Sequence, residues 1–277
     1  MNLYSKIEYQ IRDYKIHLNT TFYKYKRKCI KAHWYRVNNF GDWLTPVILE
    51  HYGFTVIYSN AYDADIIMAG SILERVPHLY KGIILGTGYI NSKSELTFPN
   101  AKILGLRGTF SKNNTFINEN IILGDPGLLI SLLINKQSKK KYKLGVVPHL
   151  NDKYTRAITL LHKRKYVKVI DPQQHPIRVA REVSSCEAIL SSSLHGLIFA
   201  DSFGIPNKRL ILSGKLAGGN FKFEDYYSAL EYEESPIIDL TGNEDLESLI
   251  ESSTRKNQKK INNIKNNLDT LLRNLSL

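Results

Sequence analysis

Ser191-Ser192-Ser193-Leu194-His195-Gly196-Leu197-Ile198-Phe199-Ala200-Asp201-Ser202-Phe203-Gly204-Ile205-Pro206 is the stretch on which the fold turns. It follows an apolar run, Glu187-Ala188-Ile189-Leu190, that reads as a buried strand. The serines end that strand, and a helix is expected to begin at Leu194 with His195 in its first turn. Serines at a helix start can cap its orphan amides. The same amides, together with the positive end of the helix dipole, form an anion site. Histidine exchanges protons near neutral pH, so His195 is a candidate acid or base there. An imidazole beside an anion site at the carboxyl edge of a sheet is where α/β folds place chemistry. The competing role is simple packing in a core helix.

Outward from this unit, short apolar runs alternate with helical segments, which argues for parallel α/β construction. Upstream, residues 31–37, 55–58, 65–68, 82–85, 102–106 and 121–123 read as strands. A helix is expected over 43–51, with Pro46 near its start where proline is tolerated, and a short one over 128–134. The polar, basic run 136–143 interrupts this pattern and marks a boundary. Beyond it, strands 144–147, 167–170, 188–190 and 209–212 alternate with helices 152–165, 176–185 and 194–203. A helix near 223–230, an apolar run at 237–240 and one or two helices from Asp245 complete the chain. Residues 3–30 look like a basic amphipathic helix broken near Asn19-Thr20-Thr21, packed on the first half with membrane contact as a secondary role. The expected organisation is a helical segment 1–30, an α/β domain 31–135, a linker 136–143, a second α/β domain 144–240 and basic helices 241–277.

Composition narrows the class. With 277 residues, 43% hydrophobic and 23% charged, the chain has the balance of a soluble globular protein. No stretch approaches the ~20 apolar residues that span a bilayer, and the first residues lack the apolar core of a signal peptide. Cys29 and Cys186 form no metal or disulfide pattern, which fits a reducing, cytoplasmic location. The net charge of +12 lies wholly in residues 1–36 and 255–277, and the body between them balances. A nucleic-acid enzyme more often carries its basic stripe across the body, so nucleic acid is not an expected partner. Two basic ends suit an anionic membrane surface, the cytoplasmic membrane's inner face, or serve solubility alone. His149, His162 and His175 show no metal-ligand spacing, so no metal is expected. Gly86-Thr87-Gly88 lacks the rest of a dinucleotide fingerprint and is at most a backbone loop lining a cleft.

Other motifs precede and follow the serine–histidine unit. They are Asn38-Asn39-Phe40-Gly41-Asp42-Trp43-Leu44, Leu106-Arg107-Gly108-Thr109-Phe110-Ser111, Gly124-Asp125-Pro126-Gly127-Leu128-Leu129 and Lys222-Phe223-Glu224-Asp225-Tyr226-Tyr227. In that order, with Ser193-Leu194-His195-Gly196 between the last two, they resemble the polysaccharide pyruvyl transferase family from about Trp34 to Tyr227. The resemblance implies two Rossmann-like domains facing a cleft, the twin-domain architecture of GT-B glycosyltransferases. It also implies phosphoenolpyruvate as donor, with no other cofactor, and a sugar acceptor, most simply a lipid-linked oligosaccharide, on which a cyclic pyruvate ketal is closed.

Such a trianionic donor calls for arginine forks, helix amino termini and glycine-shaped turns. On the resemblance, His195 is the general acid and Asp42 a base for a sugar hydroxyl, with helix capping as the competing role for Asp42. Arg107, at the end of strand 102–106 and expected to face the cleft, would grip the donor with Ser193, Leu194, Gly196 and Lys222. Asn39, Gly41, Asp125 and Tyr226 would line the cleft or meet the acceptor, Tyr226 by stacking on a sugar. Many relatives have an arginine where this chain has Ser193, and Arg209 or Lys215 is a candidate replacement. Two other functions share the fold. One is a glycosyltransferase using a nucleotide sugar, with Glu224 and Asp225 on the ribose; the other is a catalytically silent carbohydrate-binding protein.

Overall fold

The computed structural model describes residues 3–22, 28–134, 138–213 and 218–276. Helix α1 (Leu3–Phe22) leads into β1 (Cys29–His33), α2 (Leu44–His51), β2 (Thr55–Tyr58), β3 (Ile66–Met68) and β4 (Ile83–Leu85). Then come β5 (Lys102–Leu106), α3 (Thr109–Asn114) and β6 (Ile122–Leu123). These strands form one parallel sheet in the order β2-β1-β3-β4-β5-β6. The second half runs β7 (Tyr142–Val147), α4 (Arg156–His162), β8 (Val167–Val169), α5 (Pro176–Ser184) and β9 (Cys186–Ser191). It continues with α6 (Leu194–Ser202), β10 (Asn207–Ile211), α7 (Phe221–Leu230) and β11 (Ile237–Ile238). Its parallel sheet has the order β11-β10-β9-β7-β8.

The two sheets repeat one plan. In each, the first strand is flanked on one side by the second and on the other by the third, so the chain reverses its direction of travel across the sheet between β1 and β3 and between β7 and β9. Crevices at the carboxyl ends of strands open at such reversals. The runs Ile66-Ile67-Met68 and Ile83-Ile84-Leu85 are buried at every residue, as central parallel strands covered on both faces must be.

Helix α6 is buried along its whole length, which explains why its sequence is apolar all round rather than on one stripe. A 3-10 segment, Pro126–Leu133, packs against it where a short α-helix was expected from residue 128. Asp125 caps this segment by accepting the Gly127 amide at 2.7 Å. Through it a single apolar core runs from Trp43 and Leu44 of the first half to Ile198 and Phe199 of the second. Helices α8 (Leu246–Glu251) and α9 (Gln258–Arg273) close the chain, and α9 buries Ile261, Ile264, Leu268 and Leu272 in the same core.

Two expectations about the chain ends are corrected. Helix α1 continues through Asn19-Thr20-Thr21 without a break, and Cys29 and Ile30 belong to β1 rather than to a helical segment. The basic ends also fold back onto partners. Lys256 donates to the Asn207 carbonyl at 2.9 Å, Lys265 to Ser131 at 2.7 Å, and Arg273 pairs with Asp269 at 2.8 Å. At the other end Lys15 pairs with Glu50 at 2.8 Å, Arg36 with Asp13, and Glu8 with Arg178 at 3.2 Å. Among the described residues, no helix is long and apolar enough to cross a membrane.

Candidate active site

Both strand reversals open into one cleft of about 420 Å3. The loop after β1 gives it Tyr35, Asn39 and Asp42, the loop after β3 gives Ser71, Glu74 and Arg75, and the loop after β4 gives Asn91. From the second half come His149 after β7, Ser193, Leu194 and His195 after β9, and Lys222 on α7.

Ser193 is the N-cap residue of α6, yet its hydroxyl makes no capping bond. Ser191 and Ser192 brace the turn before the helix, the Ser191 hydroxyl accepting the Ser193 amide at 3.0 Å and Ser192 the His149 amide at 2.9 Å. Ser193, Leu194 and His195 line the cleft at the positive end of the helix, where first-turn amides have no carbonyl one turn back.

The His195 ring lies against Gly41. A Cβ added to Gly41 would stand 2.2 Å from Nδ1, so any side chain there displaces the imidazole. On its other edge Nε2 faces Oδ2 of Asp125 at 3.8 Å. Burial, reinforced by Arg107 and Lys222, pushes His195 down to about 3, while burial pushes Asp125 up to about 6. At neutral pH the resting pair is therefore a neutral imidazole beside a carboxylate.

Asp42 accepts from Asn39 at 2.7 Å, and burial raises it to about 6 against the pull of Asn39, Lys222 and Arg75. It does not cap α2, whose N-cap is Trp43. A carboxylate poised so near neutrality suits a general base. Lys222 is lowered to about 8, by burial first and then by Arg107. Arg75 is exposed and stacks over Tyr35 at 4.3 Å.

Several expectations change here. Arg107 does not face the cleft: its side chain and that of Asp225 are both 0% exposed, paired at 2.9 Å. Its other nitrogens donate to Ser71 Oγ and to the Tyr89 carbonyl. Asp225 also accepts the Ser111 amide at 2.8 Å and hydroxyl at 2.6 Å, so it is not free to bind a ribose. The two motifs thus meet each other across the halves, and Gly108 allows it, since a Cβ there would sit 1.6 Å from the Asp225 carbonyl.

Gly86-Thr87-Gly88 does not line the cleft; Gly88 leaves room for the Arg107 guanidinium, 2.6 Å from a would-be Cβ. Gly196 faces β7, where a Cβ would stand 2.8 Å from Val147, and is not among the residues that line the cleft. Tyr226 is fully buried and donates to Asp201 at 2.8 Å, so it cannot stack on a sugar. Asp125 lies behind His195 rather than in the cleft wall. Arg209 does not replace the missing arginine: it is buried over the Phe223 ring at 3.7 Å and paired with Glu234 at 2.6 Å. Lys215 lies outside the described residues.

Sequence reading missed Tyr35, Ser71, Arg75, Asn91 and His149. Their one signal was position in the loops after apolar strands, which selects a sheet edge without selecting residues. Among the described residues, no group of three or more His, Cys, Asp or Glu side chains is placed to hold a metal ion.

Comparison with known proteins matches residues 2–207 to the family described as polysaccharide pyruvyl transferase. The chain is 35% identical over 159 residues to an uncharacterized protein of Acanthamoeba polyphaga mimivirus, an alignment covering 54% of this chain and 55% of that protein. It is 25% identical over 201 residues to the succinoglycan biosynthesis protein ExoV of Rhizobium meliloti (strain 1021), covering 69% of this chain and 61% of that protein. The alignments therefore reach between about half and three-fifths of these relatives' lengths. The family match takes in every cleft loop named above but ends before Lys222 and α7.

Proposed function

The chain belongs to the polysaccharide pyruvyl transferase family, and from that premise we propose that it moves pyruvate from phosphoenolpyruvate onto two hydroxyls of one sugar, in a surface polysaccharide or its lipid-linked precursor. The observation that carries this reading is the company His195 keeps. One cleft brings it together with two cations, Arg75 and Lys222, an uncapped helix start and the poised carboxylate Asp42. A donor bearing a phosphate and a carboxylate needs such cationic partners; the cleft's other carboxylate, Glu74, accepts the Ile90 amide at 2.7 Å.

The donor's negative charge draws a proton onto His195, opposing the burial and the cations that hold the empty site neutral. His195 gives this proton to the methylene carbon of the enol, and positive charge develops on the carbon bearing phosphate. A first sugar hydroxyl attacks that carbon and loses its proton to Asp42. The bond from carbon to the phosphate oxygen then breaks, and the departing phosphate takes the proton held by Asp42. The second hydroxyl closes the ketal, and its proton returns to His195. Atoms and charge balance, and no cofactor beyond the donor is required. Ser193 and the amides of Leu194 and His195 hold one anionic group of the donor. Asn39, Asn91 and Tyr35 present planar polar groups and an aromatic face to the sugar.

We read the two like-ordered sheets as the twin Rossmann-like domains of a GT-B-like fold, residues 31–135 and 144–240. For a lipid-linked acceptor we place the cytoplasmic membrane face against α1, whose Ile11 and Tyr14 are 62% and 63% exposed at helical spacing with Ile7 and Leu18. The rival nucleotide-sugar reading loses one of its two ribose ligands, because Asp225 is consumed by Arg107. The test is incubation with phosphoenolpyruvate and a panel of lipid-linked saccharides. Phosphate release together with a product carrying a ketal pyruvate supports the proposal. Release of a nucleoside diphosphate from a UDP-sugar, with no reaction of phosphoenolpyruvate, overturns it.

A further inference from the structure

His195 Nε2 and Asp125 Oδ2 are both buried, and neither has a hydrogen-bond partner among the described residues. They face each other at 3.8 Å. Buried polar atoms are normally satisfied, so two orphans aimed at one another call for an account. The surroundings leave each of them no other choice. Asp125 Oδ1 is fixed by the Gly127 amide at 2.7 Å, which orients the carboxylate and leaves Oδ2 free. Arg107 lies close enough to influence Asp125, but its guanidinium donates to Asp225, Ser71 and Tyr89 instead. The opposite edge of the imidazole, Nδ1, lies over Gly41, in a ring that lines the cleft.

We propose that Asp125 is the positioning residue of His195: its Oδ2 takes the Nε2–H of the imidazole, which fixes the tautomer and presents Nδ1, unprotonated at rest, to the donor. This rests on the pyruvyl-transfer reading for its catalytic consequence. When the donor binds, Nδ1 takes up the proton that it later delivers to the methylene carbon, and Asp125 stabilises the resulting imidazolium without itself gaining the proton. The 3.8 Å separation closes to hydrogen-bond length as the imidazole becomes charged; catalytic hydrogen bonds are often long in an empty site and tighten in the complex. The sequence places the two residues on different halves, Asp125 after β6 and His195 on α6, so the dyad also ties acid–base chemistry to the junction of the two sheets.

The test has two arms. The first is the nitrogen-15 spectrum of histidine-labelled protein, with His195 assigned by its loss in His195→Gln. Wild type is expected to carry the hydrogen on Nε2. In Asp125→Asn, whose Oδ1 still accepts from Gly127 while its amide N–H points at the ring, His195 is expected to switch to the Nδ1–H form. The second arm is transfer kinetics: Asp125→Asn should lower kcat by about 10²- to 10⁴-fold with the donor's dissociation constant unchanged. A wild-type His195 bearing its hydrogen on Nδ1 overturns the inference, as does an Asp125→Asn variant with undiminished kcat. The tautomer is read without turnover. A correct tautomer in a protein that never transfers pyruvate therefore supports the dyad and counts only against the proposed reaction. If Asp125→Asn does not fold, the wild-type tautomer still decides.

Discussion

Gly41 and Arg107 show how single residues shape this site from outside it. At Gly41 the missing side chain is the function: a Cβ would overlap His195 Nδ1 at 2.2 Å. Gly41→Ala should therefore push the imidazole from its place, costing about 1–3 kcal/mol of stability and about 10²-fold in kcat. Denaturant unfolding beside transfer kinetics reads both, and an unchanged kcat would show that the ring position does not matter. Arg107 is held with Asp225 in a fully buried pair, so Arg107→Met leaves a buried carboxylate without its counter-charge and should cost about 3–5 kcal/mol. Adding Asp225→Leu should recover much of that loss, since replacing both members removes the orphaned charge. A donor-gripping arginine would behave oppositely, weakening phosphoenolpyruvate binding while leaving stability intact. The sequence placed Arg107 correctly at the end of β5 but could not say which way it turned. Its partner lies 118 residues away, and the space for its guanidinium is made by Gly88. Tyr226 was misread for the same reason, because Asp201 decides its direction.

At the scale of elements, strands were the most legible feature. Residues 55–58 and 102–106 match β2 and β5 end for end, because each is a short run rich in Val, Ile or Leu bounded by turn residues, Gly53 and Ser59-Asn60 around the first and Pro99-Asn100 and Gly108 around the second. Helix α1 was read less well. Asn19-Thr20-Thr21 has weak helical preference, but a few tenths of a kcal/mol per residue do not stop a helix anchored by Tyr9 and Arg12 over Trp43. Helix α5 carries a pH prediction of its own. The neutral ring of its N-cap, His175, accepts the Ile177 amide at 3.2 Å, and burial with nearby Arg12 lowers the ring from 6.5 to about 4. Between those values the unfolded chain binds a proton that the folded chain refuses, so this contribution to stability is present above about 6.5 and is lost as pH falls toward about 4. His175→Asn keeps an amide acceptor at the cap and should flatten the acid side of a stability–pH curve. A curve unchanged by that substitution would assign the acid loss to other groups.

Across the whole molecule, the cleft exists because the same strand order occurs twice and the two reversals share one opening. The 3-10 segment after Asp125 and helix α9 then lock both halves into a common core. His195, Asp42, Asn39, Ser193, Leu194 and Lys222 were all recognisable as candidates from their motifs, and all line that cleft. Arg75 was not, since it belongs to no motif and reaches the site only because β3 ends there. The family resemblance was legible because its motifs are local turns, whereas the contact between the Arg107 and Asp225 motifs was visible only in three dimensions.

The central claim is that this cleft holds phosphoenolpyruvate through charges that include Lys222, and thermal stabilisation by ligand tests it most directly. At about 100 times its dissociation constant, phosphoenolpyruvate should stabilise the wild type by about 2.7 kcal/mol. Lys222→Gln should bind it more weakly. The wild type should lose affinity as pH rises through about 8, where the lysine gives up its charge, and that loss should vanish in the variant. Stabilisation by a UDP-sugar alone, with no response to phosphoenolpyruvate at any pH, would contradict the account.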